Sequence, residues 1–148
     1  MNKEYFMKIA LKEAKKAYNK EEIPVGTVIV RDNKVISKGY NLKEIRKDAI
    51  SHAEIIAITK ACKKLDAWRL SNCEMYVTLE PCAMCTGAII NSRIKKIYIG
   101  TMDPKTGACG SVLNLLDFKF NHKVEIETGI LQKDCEKILK DFFKNLRK

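Results

Sequence analysis

From Lys3 to Asn19 the apolar residues Phe6, Ile9, Ala10, Ala14, Ala17 and Tyr18 return near helical spacing among charged neighbours. That period predicts an amphipathic helix, which Asn2 can cap. Pro24 and Gly26 then introduce Val25 to Arg31, a run rich in β-branched residues, and the Asp32-Asn33 pair predicts a tight turn into a second strand, Lys34 to Gly39. A polar connection leads to a helix from about Ser51 to Lys64. Met75 to Leu79 reads as a short strand stopped at Pro81, Ala83 to Asn91 as a third helix, and Lys96 to Gly100 as another strand. The connection from Thr101 to Asn121 is long, with Pro104, Gly107 and Gly110 near its start and a helical turn expected at Val112 to Leu116. Connections of this length in a small domain are often functional. Val124 to Thr128 is the last expected strand. Gln132 to Lys148 closes the chain as an amphipathic helix. Strands alternating with helices predict an α/β fold, a three-layer α/β/α sandwich around one sheet.

Composition changes this picture little. The chain has 148 residues, 46% hydrophobic and 31% charged, enough for one compact domain over 1–148 with a core that needs no disulfides. Its first twenty residues mix apolar and charged positions, unlike a signal peptide, and no run approaches a membrane span. The expected location is the cytosol, with no membrane partner. In a reducing compartment the six cysteines read as metal ligands or core residues rather than as a disulfide framework. The net charge of +10 fits either a lysine-rich solvated surface or a polyanionic partner.

The candidate chemistry sits in two short motifs, His52-Ala53-Glu54 and Pro81-Cys82-Ala83-Met84-Cys85, each expected to open a helix. Two thiolates at a helix start gain from the positive end of the helix dipole, which favours the ionised form that binds metal. Two thiolates and one imidazole suit Zn²⁺, and three protein ligands leave the fourth tetrahedral position open for water. Glu54 lies within reach of that position without being a ligand. Other readings stand beside this one. A C-x-x-C can be a redox pair, and Cys73 or Cys109 could close a structural zinc site. Ser51 with Glu54 fits the S-x-x-E capping box. The second histidine, His122, has no comparable neighbourhood and reads as a structural or loop residue. Together and in this order, the two motifs form the known H-x-E…P-C-x-x-C signature of zinc nucleobase deaminases.

Beyond those motifs the chain resembles the bacterial tRNA-specific adenosine deaminases, which convert the wobble adenosine of a tRNA anticodon to inosine. The likeness is carried by Ile23-Pro24-Val25-Gly26, Gly39-Tyr40-Asn41, His52-Ala53-Glu54-Ile55 and Tyr76 through Cys85. It continues through Ser92-Arg93-Ile94, Asp103 through Ala108, Asn121-His122 and Asp141-Phe142-Phe143. The resemblance implies a cytidine deaminase-like fold with a central five-stranded mixed sheet, one zinc per subunit and a homodimer. It implies that Asn41 and the amide of Ala53 orient the flipped base. Asp103 and Asn121 contact neighbouring nucleotides, and Phe143 and Arg147 help hold the anticodon loop. The chain departs from the family pattern at Asp48-Ala49-Ile50-Ser51, where a proline and an alanine are common. No ligand or acid/base position is touched.

The implied reaction is hydrolytic. Zinc makes hydroxide available near neutral pH, and Glu54 shuttles the proton to the ring nitrogen and then to the leaving amine. The base must leave its stack to reach such a pocket. The last sixteen residues add six basic against three acidic side chains, consistent with an RNA partner. Two competing functions remain at this point: a small-molecule guanine, cytosine or nucleoside deaminase with the same core, and a non-catalytic subunit holding structural zinc.

Overall fold

The computed structural model describes residues 2–146. Helix α1 (Lys3–Asn19) begins where expected, with the Asn2 side chain accepting the Tyr5 amide, one of the donors that a first helical turn leaves unpaired. Strands β1 (Gly26–Arg31) and β2 (Lys34–Tyr40) form a hairpin. Its two turn residues, Asp32 and Asn33, have φ of 52° and 63°. Positive φ at both positions is what a type I′ hairpin turn requires, and Asp and Asn tolerate it better than most side chains.

The polar connection after β2 contains an element that no apolar period announces, the single turn α2 (Lys43–Arg46). It forms because the buried carboxylate of Glu22 accepts the amides of Glu44 and Ile45 at 3.1 and 2.8 Å. Helix α3 (Ala53–Leu65) starts later than Ser51, with His52 as its N-cap residue. The Ser51 hydroxyl bonds the Asp48 carboxylate at 2.7 Å instead of the helix, so Ser51 does not cap it. Strand β3 (Glu74–Leu79), helix α4 (Ala83–Asn91), strand β4 (Lys96–Thr101), strand β5 (Glu125–Thr128) and helix α5 (Gln132–Leu146) follow. The helical turn expected at Val112 to Leu116 is a 3₁₀ turn at Leu115–Asp117, with the Asn114 side chain accepting the Leu116 amide.

The sheet order is β2-β1-β3-β4-β5. The β1–β2 and β1–β3 pairings are antiparallel, while β3–β4 and β4–β5 are parallel. This is the expected mixed five-stranded sheet, and helices cover both faces. Strands buried on both faces read as nearly continuous apolar runs, which β1, β3 and β4 do. Alternate residues serve different layers. Ile29, Met75, Val77, Ile97 and Ile99 pack with α3 and α4, whereas Val28, Val30, Tyr76 and Tyr98 pack with α1 and the start of α5. The rings of Tyr76 and Tyr98 stack with centroids 4.3 Å apart. Each fully buried isoleucine contributes about 1.5–3 kcal/mol.

All six cysteines are unpaired thiols. No helix among the described residues is long and apolar enough to cross a membrane. The parallel pair β3–β4 sends its carboxyl ends, Leu79 and Thr101, to one edge of the sheet. In such sheets that edge is the usual place for ligands.

Candidate metal centre and substrate pocket

Two helix starts converge at that edge. His52 is the N-cap of α3 and Cys82 the N-cap of α4, both with extended backbone and neither spending its side chain on the helix. Cys85, one turn into α4, is fully buried. The sulfurs of Cys82 and Cys85 each lie 3.6 Å from Nδ1 of His52. Metal–ligand bonds of about 2.3 Å to sulfur and about 2.0 Å to nitrogen, at a tetrahedral angle, separate the two atoms by roughly 3.5 Å. The three side chains therefore already stand at the spacing a tetrahedral ion needs. Among the described residues they are the one group of this kind. Cys109 is buried against the Thr86 hydroxyl at 3.4 Å and Cys73 lies in the core, so neither closes the set with a fourth thiolate.

Electrostatics favours a cation here. A hydrogen bond from Cys85, reinforced by His52 against the opposing effect of burial, pulls the Cys82 thiol down to about 4. The same bond and burial drive Cys85 far above its ordinary value. His52 is raised, first by its bond to Cys82. One thiolate is thus ready, and a bound cation compensates the second ionisation as its proton leaves.

Glu54, in the first turn of α3, is 3% exposed, and burial pushes its carboxyl up to about 7, with its own amide and His52 opposing. It is not part of the ligand set. Above these residues opens a cavity of about 470 Å³ lined by His52, Ala53, Glu54 and Cys82, and also by Asn41, Asp103 and Phe143. The structure therefore brings together eight of the ten residues singled out from the sequence, with Cys85 beneath the cavity floor. Asn41 donates to the Ile23 carbonyl at 3.2 Å and accepts the Lys43 amide at 3.1 Å, bonds that hold its loop at the rim. Ala53 opens α3, so its amide belongs to the first-turn donors that lack a helical acceptor. Asp103 accepts the amides of Lys105 and Thr106 and the Thr106 hydroxyl, which makes it a turn former as well as a lining residue.

Asn121 is exposed and is not among the lining residues, and Arg147 lies outside the described residues. His122 is structural, its Nε2–H donating to the Ile94 carbonyl at 2.7 Å. Three charged lining side chains had no site role in the sequence reading: Lys43, Glu80 and Lys105. Glu80 was visible there only as the residue before Pro81. Nothing in one sequence shows that its carboxylate is buried.

Comparison with known proteins places the chain in a family. The MafB19-like deaminase family matches residues 1–147. The chain is 47% identical to the tRNA-specific adenosine deaminase of Bacillus subtilis over 98% of its own length and 91% of that protein. It is 48% identical to the tRNA-specific adenosine deaminase of Aquifex aeolicus, covering 99% of this chain and 97% of the relative. A solved structure from a study of A-to-I editing by tRNA:A34 deaminases at the wobble position superposes with a TM-score of 0.89 at 38% identity. That match covers 91% of this chain and 99% of the other.

Proposed function

The chain belongs to the tRNA-specific adenosine deaminases, and from that membership we propose that it hydrolyses the wobble adenosine of a tRNA anticodon to inosine. The observation that carries the reading is the His52, Cys82 and Cys85 cluster at the pocket floor with buried Glu54 beside it. We assign zinc to the cluster, one ion per chain, because two thiols and an imidazole at tetrahedral spacing match its preferences. Zinc held there supplies Lewis-acid activation of water at neutral pH.

The remaining steps belong to the protein. Glu54 takes a proton from the attacking water and gives it to the ring nitrogen beside C6. A C6–O bond forms, Glu54 then takes the remaining proton of the new C6 hydroxyl and passes it to the amine as the C6–N bond breaks, so that adenosine and water become inosine and ammonia. The Ala53 amide and Asn41 orient the base. Asp103 meets a neighbouring nucleotide from the rim, and Phe143 helps hold the anticodon loop. For Asn121 the nucleotide contact, and for Arg147 the hold on the anticodon loop, rest on the resemblance alone. The excess of basic residues in the last segment suits a phosphate backbone. We further propose a single deaminase domain over 1–148, acting in the cytoplasm as a homodimer.

Unmodified tRNA bearing adenosine at the wobble position, incubated with the enzyme and analysed for inosine by mass spectrometry, tests the assignment. Wild type should form inosine, while Glu54→Ala should keep its zinc and lose about 10²-fold or more in turnover. Near-normal turnover by the variant would refute the proton-shuttle role. Deamination of free guanine or cytosine with no inosine in tRNA would refute the substrate.

A further inference from the structure

On the deaminase reading above, we propose that Glu80 is a positioning residue whose buried carboxylate fixes residues 102–111 as one wall of the pocket, setting how tightly RNA is held without entering the chemistry. Glu80 follows β3 and is 2% exposed. One carboxylate oxygen accepts the Asp103 amide at 2.9 Å and the Ser111 hydroxyl at 2.5 Å. The other accepts the Cys109 amide at 2.9 Å and the Ser111 amide at 3.1 Å. A carboxylate offers about four acceptor positions. All four are used, so Glu80 has no lone pair left for substrate or for a proton in transit.

What those bonds hold is otherwise irregular chain. Between β4 and the 3₁₀ turn there is no helix or strand, only an isolated bridge between Cys109 and Asn114. A segment of this kind lacks the ladder that holds a strand, and charge-assisted bonds to one buried acceptor replace it. The segment wraps closely: a Cβ on Gly107 would fall on the Glu80 carboxylate itself. Asp103 meanwhile folds residues 103–106 into a compact turn. Its amide then ties that turn to Glu80. Met102 and the four residues of the turn all face the cavity.

The opposite rim is anchored by the same device. Glu22 holds α2 beside Asn41 and Lys43, both of which line the cavity. Each wall is thus set in advance by a buried carboxylate whose bonds go to the protein's own backbone and hydroxyl donors. Preorganised walls spare the ligand the cost of ordering them. His52, Glu54 and Cys82 come from helix starts and not from the 102–111 segment, so loosening that segment should weaken binding and leave the chemical step intact.

The zinc-loaded enzyme with the same tRNA provides the test. Glu80→Gln keeps the size but turns an amide NH₂ toward N–H donors. It should raise KM about tenfold or more, hold kcat within about twofold and keep one zinc per chain. Ser111→Ala, which deletes only the hydroxyl that bonds Glu80, should raise KM about two- to fivefold. In both variants hydrogen exchange at the Asp103 and Cys109 amides should quicken. The inference is overturned if KM stays unchanged in folded Glu80→Gln. It is overturned equally if kcat and zinc content fall while KM holds, since Glu80 would then act through its neighbour Cys82. Should Glu80→Gln fail to fold, Ser111→Ala decides by the same criteria. If wild type makes no inosine in tRNA, the functional reading has failed, and unchanged exchange at those two amides would separately refute the anchoring.

Discussion

His52 owes its place to Asp48 as well as to α3. The Asp48 carboxylate accepts the Ile50 amide at 3.1 Å and the Ser51 hydroxyl at 2.7 Å, while its carbonyl accepts the Ser51 amide at 3.2 Å. These bonds stiffen Asp48-Ala49-Ile50-Ser51, the approach to the metal ligand. The Ser51 hydroxyl, then the Ile50 amide, hold the Asp48 carboxyl below its ordinary value of 3.8. A carboxyl lowered by folding stabilises the native state above its unfolded pKa, and that contribution disappears as pH falls through the lowered value. Asp48→Ala should therefore melt below wild type near neutrality, and the gap should narrow as melting is followed below pH 3.8. A gap independent of pH would mean that the charge on Asp48 is not its source. Residues differ in how far sequence exposes them. His52, Cys82 and Cys85 were legible because metal chemistry restricts residue type and spacing. Glu22 and Glu80 were not, because a carboxylate's worth here depends on which distant amides the folded chain brings to it.

Elements with a strong period were legible almost to the residue. Helix α1, strand β1 and helix α4 follow from apolar spacing and flanking turn residues. Helix α2 was not, since its cap comes from Glu22, far upstream in sequence. The start of α3 also shifted, because Ser51 found a better acceptor in Asp48 than the helix offers. The seating of α3 on β2 depends on Gly39, where a Cβ would press on the Ala53 carbonyl and the Ala57 amide. Gly39→Ala should cost about 1–3 kcal/mol in chemical denaturation, the usual range for overpacking. The same push displaces the helix start that carries His52 and Glu54, so kcat should fall on the order of tenfold in variant that remains folded. A loss of stability with unchanged kcat would show that the site tolerates movement of α3 against the sheet.

At the scale of the molecule, the three-layer architecture was legible from alternating strands and helices, but the surface that the fold leaves apolar was not. Ile50, Val112, Phe118 and Phe120 are more than half exposed. Ile50 and Phe120 border a cavity of about 510 Å³ whose lining also includes Ile55, Met84, Ala88 and Leu115. They come from segments far apart in sequence, and only the folded chain gathers them. An exposed apolar cavity rim of this kind is a candidate interaction site in a soluble protein. It is the face that supports the proposed homodimer, and it is separate from the substrate pocket, which opens beside Asn41 and Asp103. Sedimentation should therefore give wild type twice the 16.9 kDa chain mass. Phe120→Asp places a charge in that apolar face and should weaken self-association about tenfold or more, with zinc content unchanged. A wild-type chain that sediments at the single-chain mass would remove the homodimer from the reading. A Phe120→Asp dimer as tight as wild type would move the interface to another face.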